Sequence, residues 1–450
     1  MTSSRLESPA VPEPDRASRP AREAGIDCLR AVAAVLVVGL HAGIPYLRER
    51  FPGLIWSVQA DEPSLTANAL CWWIDGFIMP LFFVMTGYFA AQLATRRGPG
   101  AFLRHRLARI GGPLLFACIV ILPLDLYIWL LGWVHEDWIP FQKLRSLKIP
   151  SPYSESLWGV GHLWYLECVL LYCSLAAVVL FLKQRRGRRP TDGNGTVSPA
   201  AASAVSPVPS LLKLPARPNT DPAVLLSPTR AGLLLLAGIS LCTLVLWKQP
   251  RIVIGFQVAW FPYLENTLFY AVPFSLGWQC QTQRLFQHLP RQVWGLLTLT
   301  AIILWGTLLP ELTAHLRQET IPVQSVIVPA LWSAHALTMA IGVFGLCACW
   351  QIRTLPAGIR TLSEASFWIY LFHHPVVGLM HVDLDSVPWS SDMKFLLSWA
   401  GATAVCLLTY QVFVRQTWIG RLLNGTRPAI AAPRSGDGAE IPATPRRTAA

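Results

Sequence analysis

The chain predicts an all-α membrane protein, a polytopic bundle of about ten transmembrane helices with both termini cytoplasmic. Three observations carry that expectation. Of the 450 residues 53% are hydrophobic and only 14% charged, a balance foreign to soluble domains. Windows of roughly 20 apolar residues, the length that crosses a bilayer as a helix, recur along the chain. Finally, the positive charge is unevenly spread. With the N-terminus inside, 28 of the 37 Lys and Arg residues fall on cytoplasmic segments and 9 on the other side, as the positive-inside rule requires.

The predicted spans are 27–47, 67–93, 110–134, 161–182, 230–247, 263–281, 292–310, 325–350, 362–382 and 393–414. The fifth is short, and the sixth contains Glu265 and Pro273. Residues 1–22 are rich in Pro, Arg, Ser and Glu and read as a disordered cytoplasmic N-terminus. Helices 1–4 of the membrane domain fill 23–182. A Pro/Ala/Ser/Gly segment over 183–229 reads as a disordered cytoplasmic linker. Helices 5–10 fill 230–423, and 424–450 reads as a disordered tail. The net charge of +12 is explained by topology, so no nucleic acid is expected as a partner. The ten cysteines fall in or beside apolar stretches without metal-ligand spacing and read as small packing residues. No metal is expected.

The first span, IDCLRAVAAVLVVGLHAGIPY (Ile26 to Tyr46), carries Asp27, Arg30 and His41. At about 100° per residue, Arg30 and His41 lie within about 20° of each other around the helix, with Asp27 about 60° and 40° away. Arg30 and His41 are ~16 Å apart along the axis. An ionisable stripe on a spanning helix faces the protein interior or a water-filled cavity. It reads as a charge-recognition site joined to a proton-accepting one. A structural reading competes: Asp27 and Arg30 mark where the chain enters the membrane, and His41 bonds a neighbouring helix.

Asp75 lies in the second span, which also carries Pro80 and Gly87, residues that permit a kink and close packing. Asp75 is open to two readings, acceptor positioning or a structural carboxylate. In the next connection Arg106 and Arg109 are three apart, on one face of an α-helix, with Arg104 nearby. Such guanidinium spacing suits a polyphosphate, and equally satisfies the positive-inside rule. The fourth span opens GHLWYL (Gly161 to Leu166), with His162 just inside the outer surface and Trp164 as an interfacial-belt residue. The ninth holds SFWIYLFHHP (Ser366 to Pro375). Ser366, Tyr370 and His373 share a face, His374 points about 100° away, and Pro375 frees the carbonyl of Leu371.

Taken together, the Asp27/Arg30/His41 pattern, MPLFFVMTGYF (Met79 to Phe89), the Arg106/Arg109 pair, GHLWYL and SFWIYLFHHP resemble the acyltransferase 3 family of integral membrane acyltransferases. Within it they look most like the glucan biosynthesis protein C branch. The likeness runs over 27–182 and 230–414. It implies an O-acyltransferase that moves an acetyl- or succinyl-class group from acyl-CoA to a carbohydrate hydroxyl at the extracytoplasmic face. The setting it implies is the lipid bilayer of a bacterial inner membrane. Through the resemblance the family's essential Arg and His fall on Arg30 and His41, its RxxR pair on Arg106 and Arg109, and its late-helix histidine on His373. The expected catalytic set is His41, Arg30, Asp27 and His373. Arg30, Arg104, Arg106 and Arg109 would hold the acyl-CoA, and Asp75, His162, Trp164 and Tyr370 the acceptor. A transporter of a polar or anionic solute is the competing class, since it too would bury Asp, Arg and His along a pathway.

Overall fold

The structure, a computed structural model, describes residues 21–146, 148–187, 227–249, 259–317, 325–350 and 354–424. Among them there is no strand, and a long helix occupies each predicted window. These are α1 Ala21–Gly43, α2 Leu65–Arg97, α3 Pro99–His135, α4 Trp164–Gly187, α5 Pro228–Lys248, α6 Leu264–Thr282, α7 Arg291–Arg317, α8 Ile327–Ala348, α9 Ala357–Asp385 and α10 Ser391–Thr409. Eight of them are long and apolar enough to cross a membrane. The exceptions are α6, with Glu265 and Asn266, and α9, which carries Arg360, Glu364 and Asp383 on its surface and buries Ser363, His373, His374 and His381. The expected N-terminal segment and tail lie almost wholly outside the described residues, as does the linker from 188 to 226. The fourth helix runs on to Gly187, five residues past its predicted end.

Helix α1 is the hub, packed against α2, α8, α9 and α10. Its apolar residues are buried on nearly every side, among them Ala33, Val38 and Ala42, all 0% exposed. By contrast α5 turns Leu233, Leu236, Leu241 and Leu244 outward, as a lipid-facing helix must. Helices α2 and α6 cross at a reciprocal glycine contact. A Cβ on Gly87 would stand 2.0 Å from the Phe274 carbonyl oxygen, and one on Gly277 would stand 2.0 Å from that of Val84. Small residues at a crossing let backbones meet in a solvent that offers no hydrophobic drive between helices. Gly87→Ala is therefore expected to destabilise the bundle by about 1–3 kcal/mol, the usual cost of overpacking, read as earlier thermal unfolding in detergent.

Helix α3 is not a regular α-helix. It widens into a π turn at Leu107–Gly111 and again at Ala117–Ile121. Each π turn ends two residues before a proline, Pro113 and Pro123. Proline lacks the N–H and crowds the carbonyl four residues back, here Arg109 and Ile119, and the helix relieves both by local widening. The first π turn separates Arg106 from Arg109. The second lies just ahead of Asp125 and sets the face that Asp125 presents.

Candidate functional site

At the N-terminal end of α1, Arg30 donates from Nη1 to Asp27 Oδ1 at 3.2 Å and from Nη2 to Ser366 Oγ on α9 at 3.4 Å. Ser363 Oγ donates to the same Asp27 oxygen at 3.4 Å. The guanidinium is thus held from two helices, yet the Arg30 side chain keeps 40% of its surface open, enough to receive an anion.

The other arginines are placed differently from a single-face cluster. Arg106 turns into the bundle over the Phe102 ring, 5.7 Å from its centroid, with Nε enclosed and unpartnered among the described residues. Arg109 instead donates to the carbonyls of Arg421 and Leu422, at 3.5 and 3.4 Å, in the short helix Trp418–Asn424. The π turn between them is the reason: a wider turn carries the third residue off the face an α-helix would give it. Arg104 is exposed.

Toward the C-terminal end of α1 four histidines meet. His41 Nδ1 lies 2.8 Å from the Val37 carbonyl and 3.3 Å from His373 Nε2. A carbonyl only accepts, so Nδ1 carries the proton and Nε2 the lone pair. His373 is fixed in turn, its Nδ1–H donating to Ile369 O and Tyr370 O, both at 2.9 Å. His373 is fully buried, whereas His41 and His374 keep 8% and 6% of their surface exposed. His373 thus touches His41 but is closed off on every side, so any part it plays would run through His41.

His162 donates from Nε2 to Leu371 O at 3.1 Å, the carbonyl that Pro375 frees, and the Tyr370 hydroxyl returns a bond to His162 O at 2.6 Å. Gly161, at φ +52° in the left-handed region, turns the chain so that His162 enters the bundle rather than the surface layer. The column of Ser366, Tyr370 and His373 on α9 meets Arg30, His162 and His41 respectively.

His374 and four further residues, Asp125, Trp129, Trp56 and His381, complete the centre, none of them legible as a partner from periodicity. His374 Nδ1 lies 2.8 and 2.9 Å from the two Asp125 oxygens. Its ring is clamped between Trp129, parallel within 3° at 4.7 Å, and His162, within 13° at 4.6 Å. The expected turn of about 100° carries His374 off the His373 face, but α3 and α4 wrap round to meet it. Trp56, from the segment joining α1 and α2, stands 6.0 Å from His41 and 5.2 Å from His374. Its Nε1 donates to His381 Nδ1 at 2.9 Å, and His381 Nε2 donates to Ala42 O at 3.0 Å. Beyond Trp56 a cavity of about 130 Å³ is lined by Arg50, Phe51, Gln59 and Trp138 among others.

Asp125, His162 and His374 bring ligand-type atoms within 4.8 Å of one another. Within the trio, His374 Nδ1 and Asp125 are hydrogen-bonded, while His162 Nδ1 stands 3.9 Å from Asp125 Oδ2. Asp75 neighbours Tyr270 and Cys71, and no hydrogen bond ties it to the clustered histidines among the described residues. Trp164 packs against Tyr270 and Phe83, at 4.9 and 6.0 Å, and is 6% exposed. It sits inside the bundle and not in a lipid-facing belt.

Fold and site define an integral membrane protein, helical throughout its described residues, in which one buried helix joins a partly open arginine to an enclosed histidine centre. An acyltransferase-domain family profile matches residues 23–413. The chain belongs to this acyltransferase 3 family. It is similar to the glucans biosynthesis protein C of Escherichia coli O1:K1 / APEC and of Escherichia coli O157:H7 (strain EC4115 / EHEC), 28% identical to each over 173 residues. That stretch covers 38% of this chain and 42% of the relatives' length. No solved structure matches.

Proposed function

We propose that the protein is an O-acyltransferase of a bacterial inner membrane. It takes an acetyl- or succinyl-class group from cytoplasmic acyl-CoA and delivers it to a carbohydrate hydroxyl at the extracytoplasmic face. Both termini and the Arg30 end of α1 are then cytoplasmic. The observation that carries this reading is the pairing, on one helix, of an open guanidinium with a histidine whose tautomer is set. Arg30, together with Arg106, receives the phosphates of the donor through charge-assisted hydrogen bonds. The pantetheine arm has about the length that separates Arg30 from His41, ~16 Å, and would present the thioester at the histidines. His41 Nε2 takes the proton of the acceptor hydroxyl as it attacks the thioester carbon. Asp27 holds Arg30, and His373 holds His41.

The acceptor side follows from Trp56 and the cavity behind it. Aromatic faces beside Arg50 and Gln59 suit a sugar, whose CH faces stack on rings while its hydroxyls take hydrogen bonds. The name of the relatives, glucans biosynthesis protein C, points to a glucan in particular.

The test is thiol release. Purified full-length protein in lipid nanodiscs, given acetyl-CoA or succinyl-CoA with glucan oligosaccharides, is expected to release free CoA and yield an acylated oligosaccharide by mass spectrometry. Intact donor with both thioesters, together with uptake of an anionic solute in proteoliposomes, would favour the transporter reading instead.

A further inference from the structure

We propose that His374, positioned by Asp125, is a second catalytic residue of the acyl transfer, the proton donor to the departing thiolate. This rests on the acyl-CoA reading above. The geometry gives His374 a place at the reaction centre: its ring lies 5.2 Å from that of His41 and retains exposed surface that His373 lacks. Trp129 and His162 clamp it face to face on both sides, so its edge can point in one direction only. Asp125 takes up Nδ1, which leaves Nε2 to meet a substrate.

Proton counting then assigns the role. A net negative charge in a buried, low-dielectric site without a cation is costly, so the Asp125–His374 pair is held neutral overall. A neutral pair has two forms, carboxylate with imidazolium or carboxylic acid with imidazole. In both, His374 Nε2 carries a hydrogen. The contact with His162 favours the second form: its Nδ1 lies 3.9 Å from Asp125 Oδ2 and has no hydrogen-bond partner among the described residues, a contact that a carboxylate oxygen would make repulsive and that a carboxylic acid relieves. The His41–His373 pair is the opposite case, with a lone pair on His41 Nε2.

The transfer balances with these two groups. The hydroxyl O–H breaks and its proton goes to His41 Nε2 as the C–O bond forms. The C–S bond then breaks and the sulfur takes the proton from His374 Nε2. The products are the ester and free thiol. His41 is left with an extra proton and the His374 pair is short of one, and transfer between the two facing rings restores the starting state.

The leaving group provides the test. A nitroaryl thiolate is weakly basic and gains little from an acid, while the more basic alkyl thiolate of coenzyme A gains more. Full-length His374→Gln and Asp125→Asn proteins in nanodiscs are compared with the unsubstituted protein on acetyl-CoA and on the S-(4-nitrophenyl) thioester of acetic acid, with glucan oligosaccharides as acceptor. With acetyl-CoA, turnover by His374→Gln is expected to fall about 10²–10⁴-fold, the range for loss of a general acid; with the aryl thioester it falls less than about tenfold. Asp125→Asn follows the same pattern, and His41→Gln loses both activities. Equal losses with the two donors overturn the inference and make His374 a structural residue. Loss of activity to EDTA with recovery on zinc also overturns it, because Nδ1 would then hold a metal. Release from neither donor by the unsubstituted protein removes the acyl-CoA reading and this inference with it.

Discussion

His41→Gln, present in the membrane at the normal level, is expected to lose acyl transfer by about 10²–10⁴-fold, the contribution of a positioned general base. Glutamine fills much of the same space and can still donate toward Val37 O, which His41 Nδ1 reaches at 2.8 Å, but it cannot take a proton. The fold should therefore survive while the chemistry stops. Two readouts check it: acyl groups on cell-envelope glycans by mass spectrometry, and CoA release by the purified protein. His373→Gln separates base from support. A glutamine carbonyl can still accept the His41 proton that His373 Nε2 accepts at 3.3 Å, so this variant should keep more activity than His373→Ala. Unchanged acylation in His41→Gln with normal protein level would remove His41 as the base and return weight to a transport role.

Much of this site was legible in the sequence because helices impose angles. The stripe of Asp27, Arg30 and His41 follows from 100° steps alone, as does the α9 column that meets it. The freed Leu371 carbonyl was equally predictable from Pro375, and it is what His162 binds. Legibility ended where a residue's partner lay on another helix. Asp125 gives the same signal as Asp75, one acid in an apolar span. Nothing local says that α3 delivers the first to His374 while α2 turns the second toward Tyr270. His374 points about 100° away from His373, yet the centre is enclosed from several sides and a ring on either face of α9 can reach it. Trp56 lies in a connection without periodicity. The separation of Arg106 from Arg109 was hidden for a different reason: an α-helical wheel assumes regular turns, and Pro113 makes this one wider. Trp164 shows the converse error, since a tryptophan near a helix end is a belt residue only if that end faces lipid.

Arg30→Ala is expected to raise the KM for acyl-CoA roughly 10- to 150-fold, the equivalent of one hydrogen bond to a charged group at about 1.5–3 kcal/mol, and to lower kcat much less. The guanidinium stands about 16 Å along the axis from His41, too far to touch the reacting atoms, so its loss weakens docking rather than chemistry. Arg30→Lys should recover only part of the affinity. One ammonium cannot donate to Asp27 and Ser366 from two separate nitrogens as Arg30 does and still present a flat edge to phosphate. Arg104→Ala, at an exposed position, should stay within about twofold, and Arg106→Ala should follow Arg30. The decisive control is an acyl-pantetheine donor without the nucleotide phosphates. Turnover of it should be slow and nearly the same with Arg30 or Ala at this position, because the group that Arg30 binds is missing. A defect in Arg30→Ala that is equally large with both donors would mean that Arg30 holds the helices together through Asp27 and Ser366, and that the phosphates dock elsewhere.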